Sequence, residues 1–413
     1  MRNNVQETIE RMSQQFPWYA QMTRQERTNQ VKAYMDLKSL PLITASILEA
    51  HYYTDNNPLA QCNHHNRYLT SGTSANKRKA IYYSTFDEEA YLRIKLEVFR
   101  RILGTSCYRT ALADMGTGHA EATAVAVFRY LGIEVESISH RLPIEQHIVR
   151  LVHSRPEVLY TMPSILDRIL LSSADPTIYG IRHVILVGEM ASPAWIQRVA
   201  QRLCIGVEQI TDTYGSIEIG TIAYFSHEHG RYICTEGLIA EGVGTEALGE
   251  DLEPLMAEDE QVLVLTSTVR DSFPALRYVT YDVVRDLRPI RVNGSLQQSF
   301  QCVVKRIGAD LKHGEKISIY DIENIVYRYV SDAIVRVLVA GNALNINVYS
   351  PHISGSVLEH IRVEVENCIP AIGMMIRARI LEGIQVIQGN FEDFFHNQDV
   401  VKNKKIWVES REE

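Results

Sequence analysis

The sequence predicts an α/β protein: a large multi-sheet N-terminal domain with βαβ units, followed by a small α+β C-terminal domain. Three observations carry this reading. Strand-like and helix-like segments alternate through the middle of the chain, which is the signature of parallel βαβ units. Near Glu218 the pattern changes to short strands separated by turns. Beyond Asp310 a separate β-α-β order begins.

The elements follow in order. Ile9, Met12 and Phe16 fall on one face of an opening helix. Between Phe86 and Leu103, the residues Tyr91, Ile94, Leu96, Val98 and Phe99 repeat that spacing, and Gly104 ends the helix. HAEATAVAVFRYLG reads as a helix closed by Gly132, and IEVESI as a strand. EVLYT, HVILVG and VEQITDTYG read as strands; PSILDRILLSS and PAWIQRVAQRL read as the helices between them. From Glu218 to Tyr278, segments such as RYICTE and QVLVLTS suggest an antiparallel subdomain. Asp321 to Val330 is a helix. AIVRVLVAG and LNINVYS are strands joined by Gly341-Asn342, a favoured hairpin turn. SVLEHIRVEVENCI is a helix and MMIRARIL a strand. The boundary falls near Lys305 to Asp310, which gives domains 1–305 and 306–413.

Composition removes several classes. With 46% hydrophobic and 22% charged residues, the 413-residue chain is neither disordered nor a disulfide scaffold. The net charge of −8 comes without any long Lys/Arg block, which argues against a nucleic-acid polymer as partner. A single nucleotide remains compatible, because backbone amides and a few cations suffice to hold it. Six cysteines, at 62, 107, 204, 234, 302 and 368, show no C-x-x-C spacing and are expected to be buried, reduced thiols. The N-terminus lacks a signal-peptide apolar core, and no window approaches the ~20 apolar residues a membrane span needs. The expectation is a cytoplasmic protein without a membrane partner.

Three stretches carry candidate chemistry. Thr70-Ser71-Gly72-Thr73-Ser74 gathers hydroxyls around one glycine and is followed by Lys77, Arg78 and Lys79. Such a stretch can wrap a polyphosphate with hydroxyls, amides and cations, though it is not a Walker A loop. A polar surface loop explains it equally well. Thr211 to Gly220 follows a predicted strand, and strand C-terminal ends are where open α/β sheets bind ligands. There Tyr214 can stack on a base, and Glu218 can hold magnesium. In the third stretch, Leu276 to Asp282, a carboxylate can accept two hydrogen bonds from a ribose diol; taken alone, a strand-end salt bridge is the simpler reading.

The order TSGTSANKRK, YGSIEIG, RYVTYD, KRIGADLKHGEKI and a terminal KNKKI resembles the adenylate-forming superfamily of acyl-CoA synthetases, amino-acid-activating domains and luciferases. The phenylacetate-CoA ligase-like branch matches best, through Pro17-Trp18-Tyr19, Met162-Pro163-Ser164 and Val187-Gly188-Glu189. The resemblance covers essentially the whole chain. It implies an ATP-dependent ligase that forms an acyl-adenylate with release of pyrophosphate and then transfers the acyl group. It implies phosphate contacts from Thr70, Ser71, Gly72, Thr73, Ser74 and Arg78, adenine contacts from Tyr214 and Gly215, and Ser216 near the α-phosphate. Glu218 would hold Mg2+, Asp282 the ribose hydroxyls with Arg306 nearby, and Lys405 would be the catalytic lysine. The acid pocket would involve Gly118, Tyr160, Gly188, Glu189 and Met190, for a small and aromatic acid.

Departures are visible. Ala75 and Lys77 replace the family's glycine and proline, Tyr281 replaces the glycine of Thr-Gly-Asp, and Lys305-Arg306 stands for Gly-Arg at the junction. Gly308 to Asp310 is the best window for a hinge. The implied acceptor is CoA; transfer to a carrier-protein thiol or an amine in secondary metabolism is the alternative, and a non-catalytic binding relative the third. A homodimer is the candidate assembly. His227, His229 and Cys234 offer three zinc-type donors without a fourth, so a surface turn is favoured.

Overall fold

The computed structural model describes residues 2–27, 37–70, 79–115, 118–249, 252, 254–255, 257–308, 317–340, 343–350, 352–377, 379, 381–390 and 406–408. The chain forms two compact units. One comprises Met1–Arg101, Tyr214–Leu255 and Asp259–Cys302; the other comprises Ile102–Thr213, Met256–Glu258 and Val303–Glu413.

The first unit opens with helices Arg2–Gln15 and Pro17–Arg27. Pro17 suits a first helical position, where its missing N–H has no intrahelical role. Ile9, Met12 and Phe16 are buried, as their spacing predicts. The helix Thr85–Leu103 carries Asp87 and Glu88 in its first turn and Arg100 and Arg101 in its last, matching the helix dipole. Strands Asn66–Leu69 and Ala80–Tyr83 pair antiparallel, with Leu69 opposite Ala80. An antiparallel sheet follows from Leu238–Val243, Glu260–Ser267 and Tyr278–Arg285. A second ladder runs Gly220–Ser226, Arg231–Cys234, Ser295–Phe300, Arg288–Val292. Its outer hairpin turns on Asn293-Gly294, both at positive φ (49° and 81°), as this favoured hairpin dipeptide requires.

The second unit contains the predicted parallel sheet, in the order Glu134–Ile138, Thr110–Asp114, Val158–Thr161, His183–Val187 and the start of Ile210–Ser216. The helices His119–Tyr130, Ile144–Ser154, Pro163–Leu171 and Pro193–Leu203 connect these strands. Ser192 caps the last of them by accepting from Trp195 N at 3.2 Å. The C-terminal segment forms a sheet ordered Gly383–Gln388, Ala343–Tyr349, Ile334–Ala340, Ile406–Val408, with helices Ile319–Tyr329, Gly355–Cys368 and Pro370–Arg377. One apolar core joins the layers of this unit, running from Leu112 and Trp195 through Ile322 to Val337 and Ile361. Inside it, Asp167 accepts from Trp195 Nε1 at 2.9 Å and pairs with Arg198, whose guanidinium lies 5.5 Å from the Tyr327 ring.

The α/β class and its small C-terminal part are as expected. One element differs: the segment expected as a strand from Met374 is helical through Arg377. Pro370 starts a helix there, Ile372 and Met375 bury one face at helical spacing, and the strand comes later as GIQVIQ. The cysteine expectation also changes, because Cys62, Cys107, Cys204 and Cys368 are exposed. The turn Gly341-Asn342 and hinge residues 309 and 310 lie outside the described residues. Among the described residues, no helix is long and apolar enough to cross a membrane.

Candidate active site

The first unit gathers the nucleotide-type residues. Tyr214, Gly215 and Ser216 end the Ile210–Ser216 strand, and a turn over Ile217 to Ile219 leads into Gly220–Ser226. Tyr214 Oη donates to Asp282 Oδ2 at 2.5 Å, and its ring meets Phe300 edge-on at 5.9 Å. The structure thus brings together two residues that are far apart in the sequence. Gly215 has no room for a side chain: an added Cβ would come 2.6 Å from Gly220 O. The close approach of Gly220 O fixes the backbone at this position. Gly215→Ala is expected to destabilise the protein by about 1–3 kcal/mol, since the clash is with backbone. Calorimetry with AMP should show weakened binding; unchanged affinity would remove Gly215 from the site.

Glu218 is fixed through its backbone and open at its side chain. Arg270 Nε donates to Glu218 O at 2.9 Å, Tyr83 Oη donates to Ile217 O at 2.7 Å, and Ser216 Oγ accepts from Ile219 N at 3.3 Å. The half-buried Glu218 carboxylate accepts no hydrogen bond among the described residues. Such a carboxylate fits Mg2+, which takes one or two carboxylates together with phosphate and water.

The anchor of this turn was not found in the sequence. Arg270 is buried with its Nη1 2.6 Å from Asp87 Oδ2 and its Nη2 donating to Tyr82 O at 2.7 Å, and its guanidinium lies 3.7 Å from the Tyr83 ring centre. Asp87 also accepts from Asp271 N at 2.6 Å, Ser272 N at 3.1 Å and Ser84 N at 2.9 Å. Burial pushes the Asp87 carboxyl up, but Arg270 and these amides override it and hold its pKa below the usual value. Only the polar run Arg270-Asp271-Ser272 after an apolar strand hinted at this.

Asp282 sits on a bulge. Val262 faces Val283 and Val264 faces Val279, so Leu263 stands opposite Thr280, Tyr281 and Asp282 together. Thr280 Oγ1 donates to Leu263 O at 2.8 Å and accepts from Asp282 N at 3.1 Å. Tyr281, in the place of the family's glycine, has φ 62°. A non-glycine residue there costs about 1–2 kcal/mol. Its hydroxyl accepts from Ala45 N at 3.0 Å, at the start of the helix Ala45–His51.

Thr70 closes the base of the hydroxyl-rich stretch: Thr70 N donates to Lys79 O at 2.9 Å, and Lys79 N donates to Thr70 Oγ1 at 3.0 Å. Lys79 Nζ pairs with Glu49 at 2.8 Å. Ser71, Gly72, Thr73, Ser74 and Arg78 lie outside the described residues, as does Lys405, one position before the strand Ile406–Val408.

The second unit holds the acid-pocket candidates. Gly118 and Gly188, at φ 126° and 84°, follow the strands Thr110–Asp114 and His183–Val187, which flank Val158–Thr161. Tyr160 is 1% exposed, and its ring meets Phe128 at 6.5 Å. Glu189 accepts from Ser164 N and Ser164 Oγ, both at 2.8 Å, so its carboxylate caps the helix Pro163–Leu171. Met190 is half-buried against the core. Arg306 is exposed at the end of Cys302–Arg306.

His229 hydrogen-bonds Ser226 at 2.9 Å, Cys234 is buried with its thiol pushed up to about 12 by burial, and no group of three metal-type donors occurs among the described residues.

Residues 312–392 match the family described as fumarate–diaminopropanoate ligase C-terminal domain. A fumarate–(S)-2,3-diaminopropanoate ligase of Enterobacter agglomerans is 34% identical over 383 residues, covering 93% of this chain and 94% of that protein. A crystal structure of 2-hydroxyisobutyryl-CoA ligase in the postadenylation state superposes with a TM-score of 0.73 at 13% identity, covering 99% of this chain and 88% of the other. A benzoate CoA ligase from Burkholderia xenovorans gives 0.53 at 15% identity, with 80% and 67% covered. These two share the fold. The 34% identity across nearly the full length places the chain in the fumarate–diaminopropanoate ligase family of the adenylate-forming superfamily, as an AMP-forming ligase that activates its substrate with ATP.

Proposed function

We propose that this ligase converts a small carboxylic acid to its acyl-adenylate and transfers the acyl group to an amine, giving an amide. The observation that carries the reading is the near-full-length relative, whose name specifies a carboxylic acid and a diamino acid as the two partners joined. In the first step, a carboxylate oxygen attacks the α-phosphorus of ATP. That O–P bond forms as the bond to the β-phosphate bridge breaks, and pyrophosphate leaves. In the second step, the amine nitrogen attacks the acyl carbon. The C–N bond forms, the C–O bond to AMP breaks, and the proton of the attacking nitrogen passes to a base.

The residues divide this work. Thr70, Ser71, Gly72, Thr73, Ser74 and Arg78 receive the β- and γ-phosphates; Tyr214 and Gly215 receive the adenine; Ser216 lies near the α-phosphate; Asp282 takes the ribose, with Arg306 nearby. Glu218 would hold Mg2+, which supplies charge neutralisation to the phosphates. Lys405, in the small domain 306–413, supplies the cation between the two anions that react. Gly118, Tyr160, Gly188 and Met190 mark the region of the acid, and Glu189 orders it by capping the neighbouring helix.

The test uses ATP–pyrophosphate exchange with a panel holding fumarate, other short dicarboxylates and aromatic acids. Exchange is expected to depend on the acid, with short acids favoured over the aromatic ones that the branch resemblance suggests. Adding (S)-2,3-diaminopropanoate should then give an amide by mass spectrometry. Thioester with added CoA and no amide with any amine would overturn the acceptor; absence of exchange together with absence of ATP binding would overturn the activity.

A further inference from the structure

The helix-covered face of the parallel sheet in the second unit holds polar groups that no step above uses. Asp114 ends its strand and is fully buried. Its Oδ1 lies 2.7 Å from His147 Nδ1, and His147 Nε2 lies 3.2 Å from Leu142 O. Asp114 Oδ2 is buried without a hydrogen-bond partner among the described residues. Thr161 is opposite Asp114 in the parallel ladder, and its buried Oγ1 also has none. On the other side Asp114 faces Ile138, and two residues on comes His140, 8% exposed, whose two buried ring nitrogens have no hydrogen-bond partner among the described residues.

Each such group is costly to leave unpaired, and folded proteins rarely leave several together. These three come from neighbouring strand ends, at the edge of the sheet where ligands bind. Their chemistry selects the ligand. Asp114 and Thr161 offer acceptor oxygens. Burial lowers the His140 pKa and keeps the ring neutral, which leaves one acceptor nitrogen. A primary ammonium has three N–H donors, one for each acceptor. A ligand hydroxyl has one donor, and an anion would face the Asp114 carboxylate. Arg168 interacts electrostatically with both Asp114 and Glu145 and adds the cation that an amino-acid carboxylate needs.

We infer that Asp114, Thr161 and His140 form the subsite for the primary ammonium of a diamino-acid acceptor, the nitrogen that stays protonated while the second nitrogen attacks the adenylate. This rests on the amide-forming reading above. It makes Asp114 a binding residue and leaves His147 as the group that orients it.

The test separates the half-reactions. In Asp114→Asn, the KM for (S)-2,3-diaminopropanoate should rise about 10- to 100-fold, the size expected for loss of a charge-assisted contact. In the near-isosteric Thr161→Val it should rise about 5-fold. Acid-dependent pyrophosphate exchange requires no amine and should keep its rate in both, which also reports that they fold. With the wild type, ethylenediamine should be used at lower concentration than methylamine. An unchanged amine KM in both variants, with exchange intact, would mean that the cluster holds only water and overturn the inference. Parallel loss of exchange and amide synthesis would make the cluster structural and overturn it as well. A wild type that makes thioester but no amide fails at the amide reading itself, a result the variants are not needed to see.

Discussion

Lys405→Ala is expected to lower acid-dependent pyrophosphate exchange about 10²- to 10³-fold, while ATP binding measured by calorimetry stays near the wild-type value. The attacking carboxylate and the α-phosphate are both anionic, and their approach concentrates negative charge in the transition state. A cation placed for that moment stabilises the transition state more than bound ATP, and removal of one such group costs that order of rate. The prediction is specific in register. Lys402 and Lys404 lie in the same basic run, and Lys405 adjoins Ile406, which pairs with Val337 in the C-terminal sheet. Lys402→Ala and Lys404→Ala should keep exchange within a few-fold. If Lys404→Ala carries the loss and Lys405→Ala does not, the catalytic position is shifted by one.

The second large effect is on stability. Arg270→Met should destabilise the fold by about 3–5 kcal/mol, the usual result of removing one partner of a buried ion pair. Both side chains are almost inaccessible, at 3% and 0% exposure, so solvent cannot replace the lost partner. The variant also strips donors from Tyr82 O and Glu218 O. Denaturant midpoints measure the effect, and Arg270→Met with Asp87→Leu should recover part of it because no uncompensated charge remains. The pH dependence has a definite sign. The folded-state pKa of Asp87 lies below its unfolded value, so its contribution is complete above the ordinary carboxylate range. It is lost as pH falls through that range toward the lowered folded value. In Arg270→Met, burial is opposed only by the amide hydrogen bonds from Ser84, Asp271 and Ser272, the Asp87 pKa moves up, and that acid-side loss should shrink. A mutant with wild-type acid sensitivity would show that Arg270 does not set the Asp87 charge.

Much of the candidate site was legible because its signals are local. Tyr214, Gly215 and Glu218 stand within five consecutive residues at a strand end, and Asp282 stands at the end of another apolar run. Strand–helix alternation likewise reports burial on each layer, so the parallel sheet followed directly. The contacts that organise these residues were not local. Asp87 and Arg270 meet across 183 positions, and nothing in either neighbourhood names the other. The Met374–Leu381 segment failed for a different reason. Its apolar residues satisfy a strand and a helix pattern alike over so short a length, and Pro370 decided between them. Gly188-Glu189 reads as the strand end beside the acid pocket, but nothing nearby names the partner of Glu189, which is the first turn of a helix 25 positions earlier.

Tyr281 carries a consequence for two elements at once. The helix Ala45–His51 begins at Thr44, whose side chain makes no capping hydrogen bond; the Tyr281 hydroxyl serves Ala45 N instead. A glycine at 281 would hold this φ without strain but would offer no acceptor to Ala45 N. Tyr281→Gly would relieve the backbone and leave Ala45 N without this acceptor in the same step. One side chain thereby couples a strained turn of the sheet to the start of a helix more than two hundred positions away.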